Sequence, residues 1–305
     1  MRYVVTGAAG FIGSHLLRAL LGRGHDAVGW DAFTDYYDPA LKEENAHGLP
    51  IERIDLAQDQ LELSGVDGVF HLAGQPGVRS FGGVFPVYVR QNVVASQRLF
   101  EAAVAGRVRA MLASSSSVYG DAAAFPTTED TVPRPLSPYG ITKLASEHLA
   151  YAYGREFGLD CVVLRYFTVF GPRQRPDMAF ARMVACLAEG RPFELFGDGT
   201  QSRSFTFVDD AVEATIRAME AGPTGAVYNV GGGVDVSMLE AIETLGRVAG
   251  RRLEVVRSPR AEGDVMRTTA DTSRIRDEIG WAPGTPFEEG LEAQWRWAAD
   301  RVAAA

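Results

Sequence analysis

The first 21 residues restrict the possible folds of this chain more than any other segment. Residues 3–6 form a short apolar run that suits a buried parallel strand. Three evenly spaced glycines follow, Gly7, Gly10 and Gly13, and then leucines at helical spacing. Glycine permits positive φ and close backbone approach, and a helix N-terminus offers free N–H groups to a pyrophosphate. A strand, a glycine turn and a helix in this order predict a dinucleotide-binding unit.

Asp31 is the next residue that bears on the nucleotide. It ends a second apolar run, residues 27–30, and lies 24 residues after Gly7. A carboxylate at this point can accept hydrogen bonds from the adenosine ribose hydroxyls and repel a 2′-phosphate. The position therefore predicts NAD rather than NADP as the ligand. The alternative is an aspartate that only shapes the turn before Ala32.

Strand-like and helix-like segments alternate along the chain. Residues 51–54, 68–72, 110–113 and 161–165 read as further strands, and residues 87–105, 138–157 and 178–189 have helical periodicity. This alternation predicts an α/β fold built on a doubly wound parallel sheet of the Rossmann type. Ligands of such sheets bind beyond the carboxyl ends of the strands. The residues at those ends are the glycine turn, Asp31, Asp55, Ala73, the serines at 114–117 and Tyr166.

The character of the sequence changes after Thr168. Residues 171–176 are irregular, basic and punctuated by proline. We expect residues 1–167 to form the NAD-binding Rossmann domain and residues 168–305 to form mainly a smaller substrate-binding portion. Helical periodicity at residues 208–219 predicts that the chain returns to the first domain at about residues 205–230.

Composition excludes several classes of function. The chain has 305 residues and a net charge of −9, and no basic stripe is visible, which argues against a nucleic-acid partner. No apolar run reaches membrane-spanning length, and a strand that begins at Tyr3 leaves no room for a signal peptide. The two cysteines, Cys161 and Cys186, lack metal-ligand spacing, so we expect no metal and a reduced, cytoplasmic protein.

Lys143 is one of only two lysines, the other being Lys42. It follows Tyr139 by four residues, after Ser137 as a predicted helix N-cap and Pro138 as the first helical residue. Tyrosine and lysine at this spacing stand one turn apart on the same helix face. An ammonium near a phenol favours the phenolate, so Tyr139 becomes a candidate base. The alternative is an exposed tyrosine beside a solvated lysine.

Taken together, these motifs resemble the extended short-chain dehydrogenases/reductases, in the group of nucleotide-sugar epimerases and dehydratases. The resemblance covers nearly the whole length of the chain. The residues that carry it lie at positions 6–15, 55–56, 71–74, 92–93, 114–120, 139–143 and 205–210.

The resemblance implies roles for individual residues. It makes Tyr139 the base, Lys143 the residue that binds the nicotinamide ribose and acidifies Tyr139, and Ser115 the hydroxyl partner at the reacting oxygen. Asp55 and Leu56 match an adenine-contacting pair. For Ser115 and the two serines that follow it, the alternative is a polar loop at a strand end. The implied cofactor-binding set is Gly7, Gly10, Phe11, Ile12, Gly13, Asp31, Asp55, Leu56, Leu72, Ala73, Asn92, Tyr139, Lys143 and Tyr166.

Ser116 and Ser117 separate the subfamilies. The similar 4,6-dehydratases carry an Asp-Glu pair at these positions, because elimination of water needs a carboxyl acid and base. UDP-glucuronate decarboxylases carry a glutamate at the second position. With hydroxyls at both, the resemblance implies epimerisation at C4, in which hydride leaves and returns through a 4-keto intermediate.

The loops at residues 31–38 and 165–179 look like those of UDP-glucuronate 4-epimerases, in which Thr168 and Arg175 belong to the substrate side. Arg175 would supply a cation for the sugar carboxylate, and the alternative is a solvated loop arginine. The implied substrate-binding set is Ser115, Ser116, Ser117, Tyr139, Thr168, Arg175, Gln201, Arg203, Arg260 and Asp264.

The resemblance leaves other functions open. They are a UDP-glucose 4-epimerase, an enzyme that accepts both UDP-glucose and UDP-glucuronate, a UDP-glucuronate decarboxylase, and a non-catalytic NAD-sensing regulator on the same fold. The family also implies a homodimer packed through the helices at residues 93–105 and 138–157.

Overall fold

A computed structural model gives the structure of residues 1–77, 82–232, 234–259 and 266–304. Its strands, in chain order, are β1 (Arg2–Thr6), β2 (Asp26–Asp31), β3 (Ile51–Arg53), β4 (Gly68–His71), β5 (Arg109–Ser115), β6 (Cys161–Tyr166), β7 (Thr168–Phe170), β8 (Phe193–Phe196), β9 (Ser202–Phe207), β10 (Val227–Val230), β11 (Asp235–Ser237), β12 (Val255–Ser258) and β13 (Arg267–Thr268).

The main sheet of the described chain has seven parallel strands in the order β10-β6-β5-β4-β1-β2-β3. All strands run in the same direction, but the order in which the chain adds them to the sheet reverses at the β1–β4 pair, where Tyr3 lies opposite Gly68 and Thr6 opposite His71. All carboxyl ends therefore meet at one edge, and a crevice for a ligand opens beside β1. The predicted doubly wound α/β fold is confirmed.

The helices are α1 (Phe11–Gly22), α2 (Pro39–Ala46), α3 (Phe85–Tyr88), α4 (Ala95–Gly106), α5 (Pro138–Phe157), α6 (Ala179–Glu189), α7 (Val208–Ala221), α8 (Met238–Ala249), α9 (Ser273–Ile279) and α10 (Phe287–Ala304). Short 3₁₀ turns cover Gly82–Val84 and Ser116–Val118. No helix within the described ranges is both long and apolar enough to cross a membrane.

Both faces of the main sheet are buried. Side chains of β1 and β5 alternate between two cores: Tyr3, Val5 and Met111 pack with α1 and α7, whereas Val4 and Leu112 pack with α4 and α5. Side chains of neighbouring strand residues point to opposite faces, so continuous apolar runs are needed where helices cover both. This two-sided burial explains why the strands read as short unbroken apolar segments.

A smaller set of elements follows β6. Strand β9 pairs with β7, β11 and β13, and β8 pairs with β12. Phe170, Phe180, Phe205 and Phe287 stack around one another, with ring centroids 4.5–6.2 Å apart, and join these strands to α6 and α10. Between these elements the chain runs back to the main sheet: α7 packs on β5 and β6, and β10 pairs with β6. The division after residue 167 stays a prediction.

The segment predicted as one helix at residues 87–105 is interrupted. A π-helical turn at Val89–Val94 separates α3 from α4. The side-chain amide of Asn92 in this turn donates to the Thr142 hydroxyl at 2.9 Å. The backbone carbonyl of Asn92 accepts from the hydroxyls of Ser96 and Ser146. These contacts reach across to α5, and such inserted hydrogen bonds are a known cause of π-bulges near functional sites.

Candidate active site

A cavity of about 1060 Å³ opens at the carboxyl ends of the parallel strands and is closed on its other side by β7, β8 and β9. Most of the predicted site residues meet there. Those that line it are Gly7, Gly10, Phe11, Ile12, Gly13, Asp31, Leu56, Leu72, Ala73, Ser115, Ser116, Ser117, Tyr139, Lys143, Tyr166, Thr168, Arg175, Gln201 and Arg203. Arg260 and Asp264 lie outside the described residues.

The glycine turn has the shape of a pyrophosphate cradle. Gly7 has φ +70°, and a Cβ there would lie 2.8 Å from the Ala73 nitrogen. A Cβ on Gly13 would lie 2.2 Å from the Gly7 carbonyl oxygen. Helix α1 starts without a side-chain cap and without an acidic residue in its first turn, so no side chain of the helix itself occupies the N–H groups at its start, which borders the cavity. An anionic pyrophosphate fits this site.

Asp31 lies at the predicted position beside the glycine turn. Its carboxylate accepts from the Ala9 nitrogen at 3.0 Å and the Phe33 nitrogen at 2.8 Å. Each oxygen keeps acceptor capacity for a ribose hydroxyl, because a carboxylate has about four lone-pair sites. Lys42, to which the sequence motifs assign no role, also lines the cavity and donates to the Thr34 hydroxyl at 3.0 Å. Its rarity, as one of two lysines, was the available signal.

Two predicted cofactor residues do not face the cavity. The Asp55 carboxylate accepts from the Ala57 nitrogen at 2.9 Å, from Gln58 at 2.8 Å and from Arg90 at 2.5 Å, so it shapes the loop that presents Leu56. Asn92 is buried, with its amide oxygen 2.6 Å from the Gln75 nitrogen. It ties the loop after β4 to α5, and any contact of either side chain with the nucleotide remains a prediction.

Tyr139 and Lys143 are placed by the start of α5. Ser137 caps this helix by accepting from the Gly140 nitrogen at 3.1 Å, and Pro138 occupies the first turn. The Lys143 Nζ lies 5.9 Å from the centroid of the Tyr139 ring and donates to the Ala113 carbonyl at 2.8 Å. Ser115, two residues further along β5, hydrogen-bonds the Tyr139 hydroxyl. The three side chains therefore converge at one end of β5.

Burial dominates the electrostatics of this group. It raises the pKa of Tyr139, and the Arg175 charge and the Ser115 hydrogen bond oppose that shift. In the protein alone burial outweighs these effects, and the acidification of Tyr139 by Lys143 that the resemblance implies stays a prediction. Burial also lowers the pKa of Lys143 to about 8, although the carboxylate of Glu147 acts to raise it. Lys143 is therefore charged at neutral pH.

Arg175 is held at the opposite wall of the cavity. Its Nε and Nη2 donate to the two oxygens of Asp177 at 3.1 and 3.3 Å. The Tyr36 hydroxyl, from the loop after β2, donates to the same carboxylate at 3.3 Å. Neither Asp177 nor Tyr36 stands out in the sequence, because their contact joins residues that are 141 positions apart.

The remaining predicted substrate residues also lie in the cavity wall. The Ser115 hydroxyl donates to the Ser117 hydroxyl at 3.2 Å and accepts from its backbone nitrogen at 3.1 Å. Thr168 begins β7, and Gln201 donates to the Phe196 carbonyl at 2.9 Å. Hydroxyl and amide groups therefore cluster between the Tyr139 end and the β8–β9 end of the cavity.

Comparison with known proteins gives the family. The sequence profile described as the NAD dependent epimerase/dehydratase family matches residues 3–231. The chain belongs to this family. The resemblance that the sequence motifs carry is thereby confirmed, and the glycine cradle and Asp31 are the residues of this chain that fit the family's NAD.

Individual relatives of the NAD dependent epimerase/dehydratase family align over nearly the full chain. The uncharacterized UDP-glucose epimerase YtcB of Bacillus subtilis is 40% identical over 304 residues, covering 95% of this chain and 96% of its own. The UDP-glucuronate 4-epimerase of Thermodesulfobacterium geofontis is 36% identical over 315 residues, covering 98% and 97%. The crystal structure of the UDP-glucuronic acid 4-epimerase from Bacillus cereus, in complex with UDP-glucuronic acid and NAD, superposes with a TM-score of 0.94 at 39% identity, covering 99% and 100%.

The Gly13→Ala variant tests the cradle. Its added Cβ meets the backbone of residues 7 and 8, so the turn must open and we expect at least a tenfold loss of NAD retained through purification. Gly22→Ala, at the other end of α1 with no atom within 4 Å of the added Cβ, is the matched control and should retain NAD like the parent. Equal NAD content in the two variants would contradict the assignment.

Proposed function

We propose that this protein is a UDP-glucuronate 4-epimerase, an isomerase that uses NAD to interconvert UDP-glucuronate and UDP-galacturonate. The single observation that carries this proposal is Arg175 in the same cavity as Tyr139, because a guanidinium can bind a sugar carboxylate at two points. The relatives from Thermodesulfobacterium geofontis and Bacillus cereus support the same substrate.

The hydroxyls beside Tyr139 support epimerisation over elimination. Ser116 and Ser117 line the cavity where a dehydratase needs a carboxyl acid and base. A serine hydroxyl can orient a sugar by hydrogen bonding, but it does not exchange protons near neutral pH as a carboxyl does. The chemistry left to these side chains is to hold the sugar while C4 changes configuration.

The chain's own residues divide the remaining tasks. We propose that Tyr139 takes the proton of the 4-hydroxyl and later returns it, and that Ser115 holds the reacting oxygen by a hydrogen bond. When bound, NAD supplies the acceptor and then the donor of the C4 hydride. The flat 4-keto sugar must turn about its diphosphate between the two transfers. Arg203 and Gln201, in the wall formed near β9, are the proposed anchors of that diphosphate.

A uronic acid adds a hazard, because its 4-keto form is a β-keto acid that readily loses carbon dioxide. Loss is fastest when the bond from C5 to the carboxyl carbon stands perpendicular to the ketone plane. We propose that Arg175 and the hydroxyls of Ser116, Ser117 and Thr168 hold the carboxylate away from that geometry. These side chains come from two segments, residues 116–117 and 168–175, and share one cavity.

A UDP-glucose 4-epimerase, or an enzyme that accepts both sugars, is the second candidate. The name of the Bacillus subtilis relative favours it. The pairing of Arg175 with Asp177 also favours it, because the carboxylate offsets the charge that a glucuronate would otherwise meet. A non-catalytic NAD-binding regulator does not account for the convergence of Tyr139, Lys143 and Ser115 on one end of β5.

An NMR time course with UDP-glucuronate tests the proposed function. We expect the H4 and H5 signals of the galacturonate epimer to grow to equilibrium with no pentose signals. Tyr139→Phe removes the proposed base and should slow this reaction by at least a hundredfold while NAD stays bound. Turnover of UDP-glucose at a higher kcat/KM than UDP-glucuronate would favour the second candidate, and no turnover of either sugar would contradict both.

Arg175→Ala tests the carboxylate contact. Loss of a charge-assisted hydrogen bond of about 1.5–3 kcal/mol corresponds to a rise of about 10- to 100-fold in the KM for UDP-glucuronate. We also expect UDP-pentose to form, since the carboxylate is no longer held. Arg173→Ala, two residues earlier in the same loop and outside the cavity wall, is the control and should behave like the parent. An unchanged KM and no pentose in the Arg175 variant would refute the contact.

We also propose a homodimer formed through α4 and α5. These helices pack side by side, and Gln97 on α4 donates to the Tyr153 hydroxyl on α5 at 3.1 Å. Exposed apolar side chains lie on α5 and just before α4: Ile141 is 39% exposed and Tyr151 68% on α5, and Val94, the residue before α4, is 39% exposed. Burial of such a face against a second copy removes apolar surface from water.

Tyr151→Glu tests this interface, because it places a charge at the centre of the proposed contact. Light scattering after gel filtration should give twice the chain mass for the parent and a shift toward the single-chain mass for the variant. Val256→Glu, a 55% exposed position on β12, is the control and should stay dimeric. A parent protein that runs as a single chain at micromolar concentration excludes the dimer.

A cytoplasmic location is the last part of the proposal. Cys161 and Cys186 are both buried and free, as expected of a protein kept in a reducing compartment.

A further inference from the structure

Helix α5 and strand β5 are joined by three side-chain contacts. Tyr139, Lys143 and Glu147 follow one another at intervals of four residues and so lie on one face of α5. Their partners are consecutive residues of β5: Lys143 donates to the Ala113 carbonyl, Glu147 accepts from the Ser114 hydroxyl, and Tyr139 bonds Ser115. Lys143 and Tyr139 face the cavity, whereas Glu147 does not line it.

Glu147 is fixed from a second strand. Arg165 on β6 lies opposite Ser114 in the sheet register, and its Nε and Nη2 donate to the Glu147 carboxylate at 3.0 and 2.7 Å. Arg165 in turn donates to the Tyr119 hydroxyl at 2.9 Å. Glu147 and Arg165 are 8% and 6% exposed.

Such a buried ion pair asks for an explanation other than stability. An apolar pair of the same volume is often as stable or more stable, because two charges must be taken out of water. The pair sits behind the proposed catalytic residues, and its carboxylate lies one helical turn beyond Lys143.

We infer that Glu147, held by Arg165, is a positioning residue for the proposed epimerase reaction: it locks α5 onto β5 and holds a carboxylate one helical turn from the Lys143 ammonium. This inference rests on the proposed function for its consequence in turnover, and on the contacts above for its effect on Lys143. Glu147 touches neither the cavity nor the reacting atoms and acts through Lys143 and Ser114.

The charged groups around Lys143 support this role. On α5 these neighbours are Tyr139 and Glu147, and on β4 the neighbour is His71. Arg165 on β6 lies behind Glu147, and the π-helical turn contributes the uncharged amide of Asn92. Burial and the Lys143 charge lower the pKa of His71 to about 3, so that ring is neutral. Glu147 is thus the anionic group that opposes the effect of burial on Lys143, whose pKa is about 8.

The chain allows a direct measurement, because Lys42 and Lys143 are its only lysines. Protein labelled with ¹³C at the lysine ε-carbon gives two signals, which Lys42→Arg assigns. In the NAD-bound parent we expect the Lys143 signal to titrate below the usual range of a lysine, because the side chain is buried. In Glu147→Gln the midpoint should fall by on the order of one pH unit, since a nearby opposite charge shifts a pKa by about that much or more. The midpoint of Lys42 is the internal control and should not move.

Activity provides the second readout. A lower pKa for Lys143 discharges it earlier as pH rises, so the alkaline limb of the kcat profile should move to lower pH by the same interval. Glu147→Asp keeps the charge but does not reach Ser114, and it should restore the limb while kcat stays several-fold reduced. A residue with a merely structural role would lower kcat at every pH without moving the limb.

Glu147→Gln leaves Arg165 buried without its partner and can impair folding. The double variant Glu147→Gln, Arg165→Gln removes both charges, and retention of NAD and of the circular dichroism spectrum verifies its fold. We expect the Lys143 midpoint in the double variant to lie between those of the parent and Glu147→Gln. A folded variant of either kind with the parent's Lys143 midpoint overturns the inference. Absence of epimerisation in the parent would instead overturn the proposed function and leave the NMR result standing.

Discussion

The docking of α5 on β5 is the constraint on which the rest of the site depends. The strand delivers Ala113, Ser114 and Ser115 to the edge where the parallel sheet ends, and the helix meets them with side chains one turn apart. The helix rises about 6 Å from Tyr139 to Lys143, and the strand spans about 6.6 Å from Ser115 to Ala113, so the spacings of these two contacts match. The proposed base, its neighbouring cation and the hydroxyl partner are therefore held by backbone geometry, and the loops around them line the rest of the cavity.

Burial sets the price of this arrangement. It raises the pKa of Tyr139 and lowers that of Lys143, so both side chains are pushed toward their neutral forms. Arg175 on one side and Glu147 on the other each oppose one of these shifts. A base and its neighbouring cation can both stay ionised in a dry site only if such partners exist. This need explains why Arg175 and Glu147 accompany Tyr139 and Lys143, although the sequence motif itself consists only of the tyrosine and the lysine.

The sequence predicted the parts of the structure that local signals encode. Helix α5 coincides with residues 138–157 because Ser137 and Pro138 start it and Gly158, at φ +72°, ends it. Strands β1–β6 were also found, most of them from apolar runs, but β7–β13 were not predicted as strands. The π-helical turn at Val89–Val94 depends on hydrogen bonds to α5 and was missed. The same limit applies at the site: the Gly turn, Asp31 and Tyr139 lie in motifs, but the pairing of Arg165 with Glu147 and of Arg175 with Asp177 and Tyr36 joins distant or unpatterned residues.

The charge of the whole chain and the charge of the cavity have opposite signs. A protein of net charge −9 does not attract a nucleotide sugar over long distances. Within the cavity wall, however, cationic side chains gather from both sides of residue 167 in the sequence: Lys42, Lys143, Arg175, Arg182 and Arg203. Cations concentrated in a cleft with apolar walls are screened less than surface charges, and they favour anionic ligands locally. Asp177 offsets part of this positive charge beside Arg175. The charge of the cavity therefore favours anionic nucleotides in general, and the proposed preference for a uronate over a neutral hexose depends on the geometry in which Asp177 holds Arg175.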